Sequence, residues 1–593
     1  MEAWGSLVLA FTQRGNFMKK ILFGTLLVLI SLGLFVWWNW FTDVPLKISP
    51  ETSLITSPLT PDGKVDYTTW LLSLYPEGVQ TERNAAWRLM KEIDLRDLQQ
   101  RDNEDSEISD SVWKEMCGLM DQDPDAPRLA YKTPFLKTME EYFQAKDPDD
   151  LTSINDARFY ILHSQDFSRE DFVAKYEDFI RAWSEENSPA LDRIEEILLD
   201  PKSEYFFFPF LIPEGNFTPW DIKTPTIPSM YGLGYSLVIR AIWNLSQGNN
   251  ENAIRSFEAV NRMGTLIQKG SRDIVTYLLG VRMQGAGIFI PFVEAKTPLT
   301  AEQWKRLRDL PFFEYSPEEF YHIIKTFDFP VILNGIQYCS NRKITDPYDV
   351  ILPPPDSKFW YFGYDWNQIA REIRQAQKEV EANFQKDPLH VDMDVLSVVK
   401  DEPQSKWETI RRFFLSSRKT RSHMFTLILL REFSLNPFRE ILLAHTTSGH
   451  LLRLKCALEL YLLDHNNEIP SAFTTDSEGK PLHSWTIQLL PYLGKEAEEL
   501  YAKIRLDEPW DSEWNAQFHN QMPNVFTSSN ELGSHDITSF CWVKECEKFT
   551  VFQNSRAKNW MDPSAFMTEK EAEEELQKDK KPTTPKNDWK IDF

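Results

Sequence analysis

"YSLVIRAIWNLSQGNNENAIRSFEAVNRMGTLIQKG", residues 235–270, indicates the class of fold. Apolar side chains recur every three or four residues on both sides of "GNN" at 248–250, which is the spacing of an amphipathic α-helix. Glycine and asparagine adopt turn conformations readily, so "GNN" predicts a turn. The stretch is therefore predicted to form two helices that fold back on each other.

The small and aromatic residues of this hairpin follow a known pattern. They are Ala241, Gly248, Ala253, Phe257 and Ala259. Their placement resembles that of tetratricopeptide-like hairpins, in which such residues let two helices approach. One unit of this kind stands out, so the sequence predicts a single hairpin near residues 231–270 and no array of repeats.

The stretch that follows, "SRDIVTYLLGVRMQGAGIFIPFVEA", is also apolar and helical in pattern. It contains Arg272, Asp273, Arg282 and Gln284. Ionisable residues are costly inside a bilayer, so we expect a buried helix here and no membrane span.

Helical patterns dominate residues 67–436, which predict a large, irregular α-helical domain. Residues 42–66 are rich in Pro, Ser and Thr and predict a linker. A long helix from residue 437 opens a smaller α+β domain at 437–563. Residues 564–593 are charged and poor in apolar side chains, which predicts a flexible tail.

Composition limits the classes of function. The chain has 593 residues, 42% of them hydrophobic, which is typical of a packed globular protein of about two to four domains. Its formal net charge is −24 at pH 7. Proteins that bind nucleic acid neutralise phosphates with Lys and Arg, so no nucleic-acid partner is expected.

Residues 21–41, "ILFGTLLVLISLGLFVWWNWF", carry no charge. A helix of this length, at about 1.5 Å per residue, covers the hydrocarbon core of a bilayer, about 30 Å thick. The sequence therefore predicts an N-terminal transmembrane helix in contact with membrane lipid. Trp37, Trp38 and Trp40 stand at its far end, where indole rings favour the membrane–water interface.

Lys19 and Lys20 precede the apolar run, and the positive-inside rule predicts their side of the membrane. Residues 1–20 would be a short cytoplasmic N-terminus of a single-pass inner-membrane protein, with the bulk of the chain in the periplasm or extracytoplasmic space. A cleaved signal peptide is the alternative, but its apolar core would be shorter and would end in small residues. The start codon is left open between Met1 and Met18.

The five cysteines follow no disulfide framework and no zinc-binding pattern. Cys541 and Cys546 are close enough in sequence to form a disulfide across a short hairpin in an oxidising compartment. Two unpaired cysteines on a strand are the alternative.

The sequence contains no phosphate-binding loop ending in Gly-Lys-Ser/Thr and no zinc-binding His-Glu-x-x-His. It also contains no Gly-x-Ser-x-Gly of serine hydrolases and no helix that opens with the dinucleotide-binding Gly-x-Gly-x-x-Gly. His445 and His450 are five residues apart, which places them on different faces of a helix. "HVDMD" at 390–394 can supply metal ligands, with a solvated turn as the alternative. No catalytic residue is therefore predicted.

The segment "DSEGKPLHSWTIQLLPYLGKEAEELYAKIRLDEPWDSEWNAQFHNQMPNVF", residues 476–526, carries a specific pattern. Its marks are Ser-Trp, Leu-Leu-Pro-Tyr-Leu and Leu-Asp-Glu-Pro-Trp-Asp-Ser. The pattern resembles a bacterial domain-of-unknown-function family related to pseudopilin G of type II secretion. The resemblance covers about residues 445–563 and implies a small pseudopilin-like α+β domain. The fold is thus expected to be mainly α: a transmembrane helix, a helical ectodomain and this domain.

"RLDEPWDSEWN", residues 505–515, concentrates carboxylates around one proline. Pro509 restricts the backbone on both sides of it, and Asp511 or Ser512 can cap the short helix that follows. A structural turn without metal is one reading. Calcium bound by Asp507, Glu508 and Asp511 is the alternative, and the resemblance favours it because pseudopilin G-like proteins bind calcium.

Two functions are compatible with these features. The first is a membrane-anchored, extracytoplasmic structural or interaction protein of the bacterial cell envelope, whose partner is a protein or an envelope component. The second is an envelope hydrolase or ligand-binding protein with a cleft in its helical domain. Converging carboxylates or histidines with perturbed pKa values would favour the second, and exposed apolar patches the first.

Overall fold

A computed structural model describes residues 23, 25–35, 37–38, 42–96, 110–131, 170–208, 226–286, 295–341, 364–386, 418–432, 436–527, 537–544, 550–563, 566–568 and 590–592. Helices make up 63% of these residues, so the protein is mainly helical, as the sequence predicts.

The helices, in chain order, are α1 (Tyr67–Ser73), α2 (Ala85–Glu92), α3 (Asp110–Leu119), α4 (Glu170–Leu199), α5 (Thr226–Ser246), α6 (Asn250–Gly270), α7 (Ile274–Ala286), α8 (Ala301–Arg308), α9 (Pro317–Ile323), α10 (Phe329–Asn341), α11 (Trp366–Lys386), α12 (Arg418–Glu432), α13 (Asn436–Asp464), α14 (Trp485–Leu489) and α15 (Lys495–Tyr501). The strands are β1 (Ile93–Asp94), β2 (Leu129–Ala130), β3 (Phe473–Thr475), β4 (Pro481–Ser484), β5 (Ile537–Lys544), β6 (Thr550–Asn559), β7 (Phe566–Thr568) and β8 (Lys590–Asp592).

The chain divides into two compact units. Unit 1 comprises Met1–Ser73, Ile212–Ile222 and Lys325–Asn436, and unit 2 comprises Leu74–Leu211, Lys223–Ile324 and Pro437–Phe593. Each unit is therefore assembled from segments that are distant in sequence.

Unit 1 has an aromatic core at the start of α11. The rings of Tyr364 and Phe425 lie 5.1 Å apart, and Trp366 lies 5.5 Å from Tyr364. Tilted and edge-on aromatic pairs at such distances are favourable beyond their buried area. This contact joins α11 to α12, which contributes Phe425.

Residues 42–66, predicted to be a linker, pack within unit 1. Val65 is buried, and its backbone pairs with the side chain of Gln337 on α10. The Val65 N–H donates to Gln337 Oε1 at 3.0 Å, and Gln337 Nε2 donates to the Val65 carbonyl at 2.9 Å. One amide side chain therefore satisfies both backbone groups of a residue 272 positions away.

Unit 2 centres on α5, α6 and α7, which form the hairpin expected at 231–270 and its continuation. α6 and α7 cross at Gly264 and Gly280: a Cβ added to Gly264 would lie 2.5 Å from the carbonyl oxygen of Gly280. These glycines let the two backbones touch. The sequence "TAEQWKRLRDL", residues 300–310, predicts a helix capped by Thr300, and Thr300 caps α8 in a capping box with Gln303.

The long helix α13 connects two apolar clusters of unit 2. Leu452, Cys456 and Leu460 belong to the large cluster formed mainly by α2 to α8. Leu454 and Leu458, on another face of α13, pack with Trp485 and the elements after it. The C-terminal part of the chain therefore shares its central helix with the helical part.

Small sheets follow α13. β3 pairs with β4 in an antiparallel hairpin. The second sheet has the order β7-β5-β6-β8, in which β5 pairs with β7 in parallel and the other pairs are antiparallel. Strands β7 and β8 fall within the predicted tail, 564–593, most of which lies outside the described residues.

The predicted fold class is wrong in its first element, the transmembrane helix at residues 21–41. No helix in the described part of the chain is long and apolar enough to cross a membrane. The location, the lipid contact and the cytoplasmic residues 1–20 were inferred from that span, and they stay untested predictions.

The tryptophans at the end of that segment have a partner within unit 1. Trp37 and Trp38 are exposed. The Arg418 guanidinium lies 4.5 Å from the Trp38 ring centroid and also donates to the Trp38 carbonyl. Such stacking is a cation–π contact, which ties this segment to α12. Trp40 lies outside the described residues.

Candidate functional site

The carboxylate-rich stretch 505–515 closes on the side chain of Asn515, which is buried. Asn515 Oδ1 accepts the Arg505 N–H at 3.0 Å. Its Nδ2 donates to the carbonyls of Arg505, Glu508 and Pro509 at 2.9, 3.2 and 3.0 Å. One amide side chain thus satisfies the backbone on both sides of the proline.

Trp510 and Trp514 connect the same turn to neighbouring segments. The backbone N–H of Trp510 donates to the Leu482 carbonyl at 3.0 Å, which joins the turn to β4. Trp514 donates its indole N–H to Lys503 O at 3.0 Å, and the Arg505 guanidinium lies 4.1 Å from its ring centroid. The Ser512 hydroxyl accepts the Asn515 N–H at 3.1 Å, which is the cap that the sequence predicts. These contacts account for the spacing of the motif in structural terms.

The three predicted calcium ligands lie on this turn with different partners. Asp507 and Asp511 are exposed. Glu508 pairs with Arg505 at 2.8 Å, and this bond, with one from Ser512, lowers the pKa of the Glu508 carboxyl. Within the described ranges, no three His, Cys, Asp or Glu side chains are grouped to hold a metal ion. Calcium at this turn stays a prediction.

The other predicted sites are placed only in part. Cys541 lies in β5, and Cys546 lies outside the described residues, as does the "HVDMD" stretch at 390–394. The proposed disulfide therefore stays untested.

A polar cleft of about 420 Å³ lies at the tip of the α5–α6 hairpin. Its titratable side chain is Glu251, whose pKa is lowered by its hydrogen bond with Arg306. In the lining of the cleft, Asn250 Nδ2 donates to the carbonyl oxygens of Thr297 and Pro298 at 3.0 and 3.3 Å. The polar groups here serve mainly to close the hairpin onto the segment that precedes α8.

A second group of polar side chains gathers where α5, α7 and α13 meet the surface of unit 2. We call Tyr231, Tyr235, Arg282 and His445 the tyrosine–arginine cluster. Tyr231 and Tyr235 are four residues apart on α5, so they share one face of the helix. Their rings stack with centroids 6.1 Å apart and an interplanar angle of 16°. Both are half-buried against the large apolar cluster.

The close approach of α5 and α7 brings Arg282 to these rings. A Cβ added to Gly234 would lie 2.1 Å from Met283 Sδ, so glycine at 234 makes room for Met283. Arg282, the neighbour of Met283, is exposed, and its guanidinium carbon lies 5.5 Å from the Tyr231 ring centroid. The guanidinium also donates to the hydroxyl oxygens of Tyr235 and Tyr231. The arginine is therefore held in one orientation at the surface.

The electrostatics of the cluster differ from those of an ordinary surface arginine. Burial acts to lower the pKa of Arg282, but the tyrosine hydroxyls outweigh it and raise that pKa. Burial raises the pKa of Tyr235. Burial, assisted by the charge of Arg282, lowers the pKa of His445 to about 4. At neutral pH the cluster therefore presents one fixed cation, two phenol hydroxyls and an uncharged imidazole.

These groups are chemically suited to bind an anion. A guanidinium offers a planar fork of N–H donors that fits a carboxylate or phosphate in a bidentate manner. Tyrosine hydroxyls add donors, and the tyrosine rings add apolar surface. The neutral His445 adds no charge, so Arg282 is the cation that this cluster offers to an anion.

Sequence reasoning found parts of this cluster without joining them. Arg282 stood out as a charge in an apolar helix, and His445 was correctly separated from His450 by helical face. Tyr231 and Tyr235 carried the signal of i, i+4 spacing. Their convergence depends on the packing of α5, α7 and α13.

Comparison of the chain with protein-family models, with curated proteins and with solved structures found no match. The resemblance of residues 445–563 to the pseudopilin G-related family stays a prediction.

Proposed function

We propose that this protein is an interaction protein whose helical unit 2 binds a carboxylate-bearing segment of a partner protein at the tyrosine–arginine cluster. The observation that carries the proposal is the position of Arg282, an exposed residue whose guanidinium lies over the ring of Tyr231, which in turn stacks on Tyr235. An interface arginine fixed in this way loses little entropy on binding, so it is suited to be an energetic anchor.

The size of the cluster supports a single anionic group beside an apolar one. One guanidinium can pair with one carboxylate, and the half-buried rings of Tyr231 and Tyr235 lie next to it. Tyrosine and arginine are the residue types that are enriched among interface anchors. A peptide with an acidic residue, or a C-terminal carboxylate, next to an apolar side chain would match both features.

The overall charge of the chain determines how such binding should respond to salt. With a formal net charge of −24 at pH 7, the protein repels an acidic partner at long range. That repulsion is screened beyond about 8 Å at physiological ionic strength, whereas the direct arginine contact is screened less. Moderate salt should therefore leave the affinity unchanged or raise it, in contrast to binding that is driven by a broad basic surface.

A random peptide library displayed on phage and selected on the full chain tests the proposal. We expect the wild type to enrich peptides with an acidic residue next to an apolar one, and Arg282→Gln to lose that enrichment. Arg181→Gln is the matched control, because Arg181 is an exposed arginine on α4 that pairs with Asp178 at 2.6 Å. Enrichment of the same peptides on Arg282→Gln, or of peptides without acidic residues on the wild type, would refute the proposal.

A further inference from the structure

The polar cleft at the tip of the α5–α6 hairpin lies within unit 2 and has the size of a small-molecule site. Its volume of about 420 Å³ falls in the range of about 300–1,000 Å³ that is typical of such sites. Its walls include the start of α6 at Asn250 and the start of α8 at Thr300 and Gln303. Most of its lining side chains are neutral and polar, and none that the described structure places there is basic or aromatic.

The start of α6 leaves hydrogen-bond donors unused. Asn249 is the N-cap residue, and its side chain makes no capping hydrogen bond. The first bond of the helix runs from the Ala253 N–H to the Asn249 carbonyl. The N–H groups of Asn250, Glu251 and Asn252, which precede it, donate to no group in the described part of the chain. These lining residues therefore offer N–H donors at the positive end of the helix dipole.

Asn250 adds an unused acceptor to these donors. The residue is 8% exposed, and its Nδ2 donates to the carbonyls of Thr297 and Pro298, which fixes the plane of the amide. Its Oδ1 is buried and has no hydrogen-bond partner among the described residues. A buried amide oxygen without a partner is unfavourable, so a group that donates a hydrogen bond to it is favoured.

These donors and this acceptor suit a neutral hydroxyl compound. A hydroxyl group can donate one hydrogen bond and accept others, so it can pair with Asn250 Oδ1 and with the helical N–H groups at once. An anion can only accept, and it would meet the carboxylate of Glu251, which also lines the cleft. A cation would lie at the positive end of α6, which disfavours it. A sugar presents several neighbouring hydroxyl groups and adds no charge.

We propose that this cleft binds a neutral sugar, with one hydroxyl group that donates to Asn250 Oδ1 and accepts from the N–H groups at the start of α6. Glu251 and Asn252 are exposed residues of the lining and offer polar side chains to neighbouring hydroxyl groups. Ser246, the last residue of α5, lies about 16 Å along the helix axis from Tyr235. The sugar site is therefore separate from the tyrosine–arginine cluster and does not depend on the function proposed for it.

Saturation-transfer NMR of the full chain tests the proposal. The probes are glucose, galactose, mannose, N-acetylglucosamine, cellobiose and lactose. Acetamide is the comparison probe, because a carboxamide also donates and accepts hydrogen bonds. We expect saturation transfer to at least one of these sugars, and less to acetamide. Transfer to none of the sugars, or transfer to acetamide that equals or exceeds it, would overturn the proposal.

Two variants locate the binding, with the dissociation constant of the best sugar as the measurement. Asn252→Trp changes an exposed lining residue, so the larger side chain should occupy part of the cleft while Asn250 keeps its bonds. Asn250→Ala removes the unused acceptor. We expect each variant to weaken binding about tenfold or more.

Asn520→Ala, at an exposed asparagine outside the cleft, is the matched control and should bind the sugar as the wild type does. Near-UV circular dichroism verifies that each variant is folded. An unchanged dissociation constant in a folded Asn252→Trp or Asn250→Ala variant, or a loss of binding that Asn520→Ala shares, would overturn the proposal.

Discussion

Gly264 and Gly280 face each other where α6 and α7 cross, so closely that a Cβ on Gly264 would lie 2.5 Å from the Gly280 carbonyl oxygen and 2.3 Å from the Gln284 backbone nitrogen. These are backbone atoms, which cannot rotate away as the end of a side chain can. The close approach also sets the position of the rest of α7, including Arg282. The crossing of α6 and α7, together with the approach of α5 to α7 at Gly234 and Met283, therefore positions the helix that carries Arg282.

We expect Gly264→Ala to destabilise the protein by about 2–4 kcal/mol, because the methyl group must push two backbones apart. Urea unfolding followed by far-UV circular dichroism measures the change. Gly118→Ala on α3 is the control: nothing lies within 4 Å of a Cβ there, so alanine should leave the stability unchanged or raise it by up to about 1 kcal/mol. Equal effects of the two substitutions would contradict the proposed crossing.

Asn515→Ala should destabilise the C-terminal part by about 2–4 kcal/mol, since it removes the partner of one N–H and three carbonyl groups. Thermal unfolding followed by tryptophan fluorescence is the measurement, because Trp510 and Trp514 flank the turn. Asn520→Ala, at an exposed position nearby, should change the stability by less than about 0.5 kcal/mol. If Asn515→Ala and Asn520→Ala unfold at the same temperature, the hydrogen bonds of Asn515 do not stabilise the turn.

Asp273 offers a prediction about pH. Its side chain is buried at the start of α7, where Oδ1 accepts the Thr276 N–H at 2.8 Å, whereas Oδ2 has no hydrogen-bond partner in the described part of the chain. Burial raises the pKa of this carboxyl above its ordinary 3.8. The folded state therefore binds more protons than the unfolded state above that value, and the stability contributed by Asp273 is lost as the pH rises.

Asp273→Asn retains the cap through Oδ1 and removes the buried charge. We expect the free energy of unfolding of the variant to exceed that of the wild type by about 1 kcal/mol or more at pH 7. This difference should become smaller as the pH falls towards 4, because the buried carboxyl of the wild type is then protonated. Chemical unfolding at several pH values measures the difference. Asp178→Asn, at an exposed position on α4, is the control. A stability difference between Asp273→Asn and the wild type that widens as the pH falls would show that the fold favours the ionised carboxylate, and it would contradict the prediction.

The sequence predicted local features well and packing between distant segments poorly. The Thr300 cap and the helix from about 437 to 464 are set by residues within a few positions of each other, so spacing and capping rules apply. The pairing of Val65 with Gln337 joins residues 272 positions apart, and no local pattern encodes it. The same limit applies to Tyr235 and Arg282, which lie on different helices.

The error at residues 21–41 has a different origin. Hydropathy measures how an isolated segment partitions into lipid, and it takes no account of the contacts that the segment makes with the rest of the chain. Nor did the indole cluster reveal that Trp38 stacks with Arg418, which is 380 positions away. An uncharged run with aromatic residues at its end is compatible with more than one environment.

Calorimetric titration of the wild-type chain and of Arg282→Gln with a selected acidic peptide tests the proposed function most directly, with Arg181→Gln as the control. We predict that Arg282→Gln weakens binding about tenfold or more, as expected for the loss of a charge-assisted bidentate contact, and that Arg181→Gln leaves the affinity unchanged. Equal affinity of the wild type and Arg282→Gln for that peptide would contradict the account.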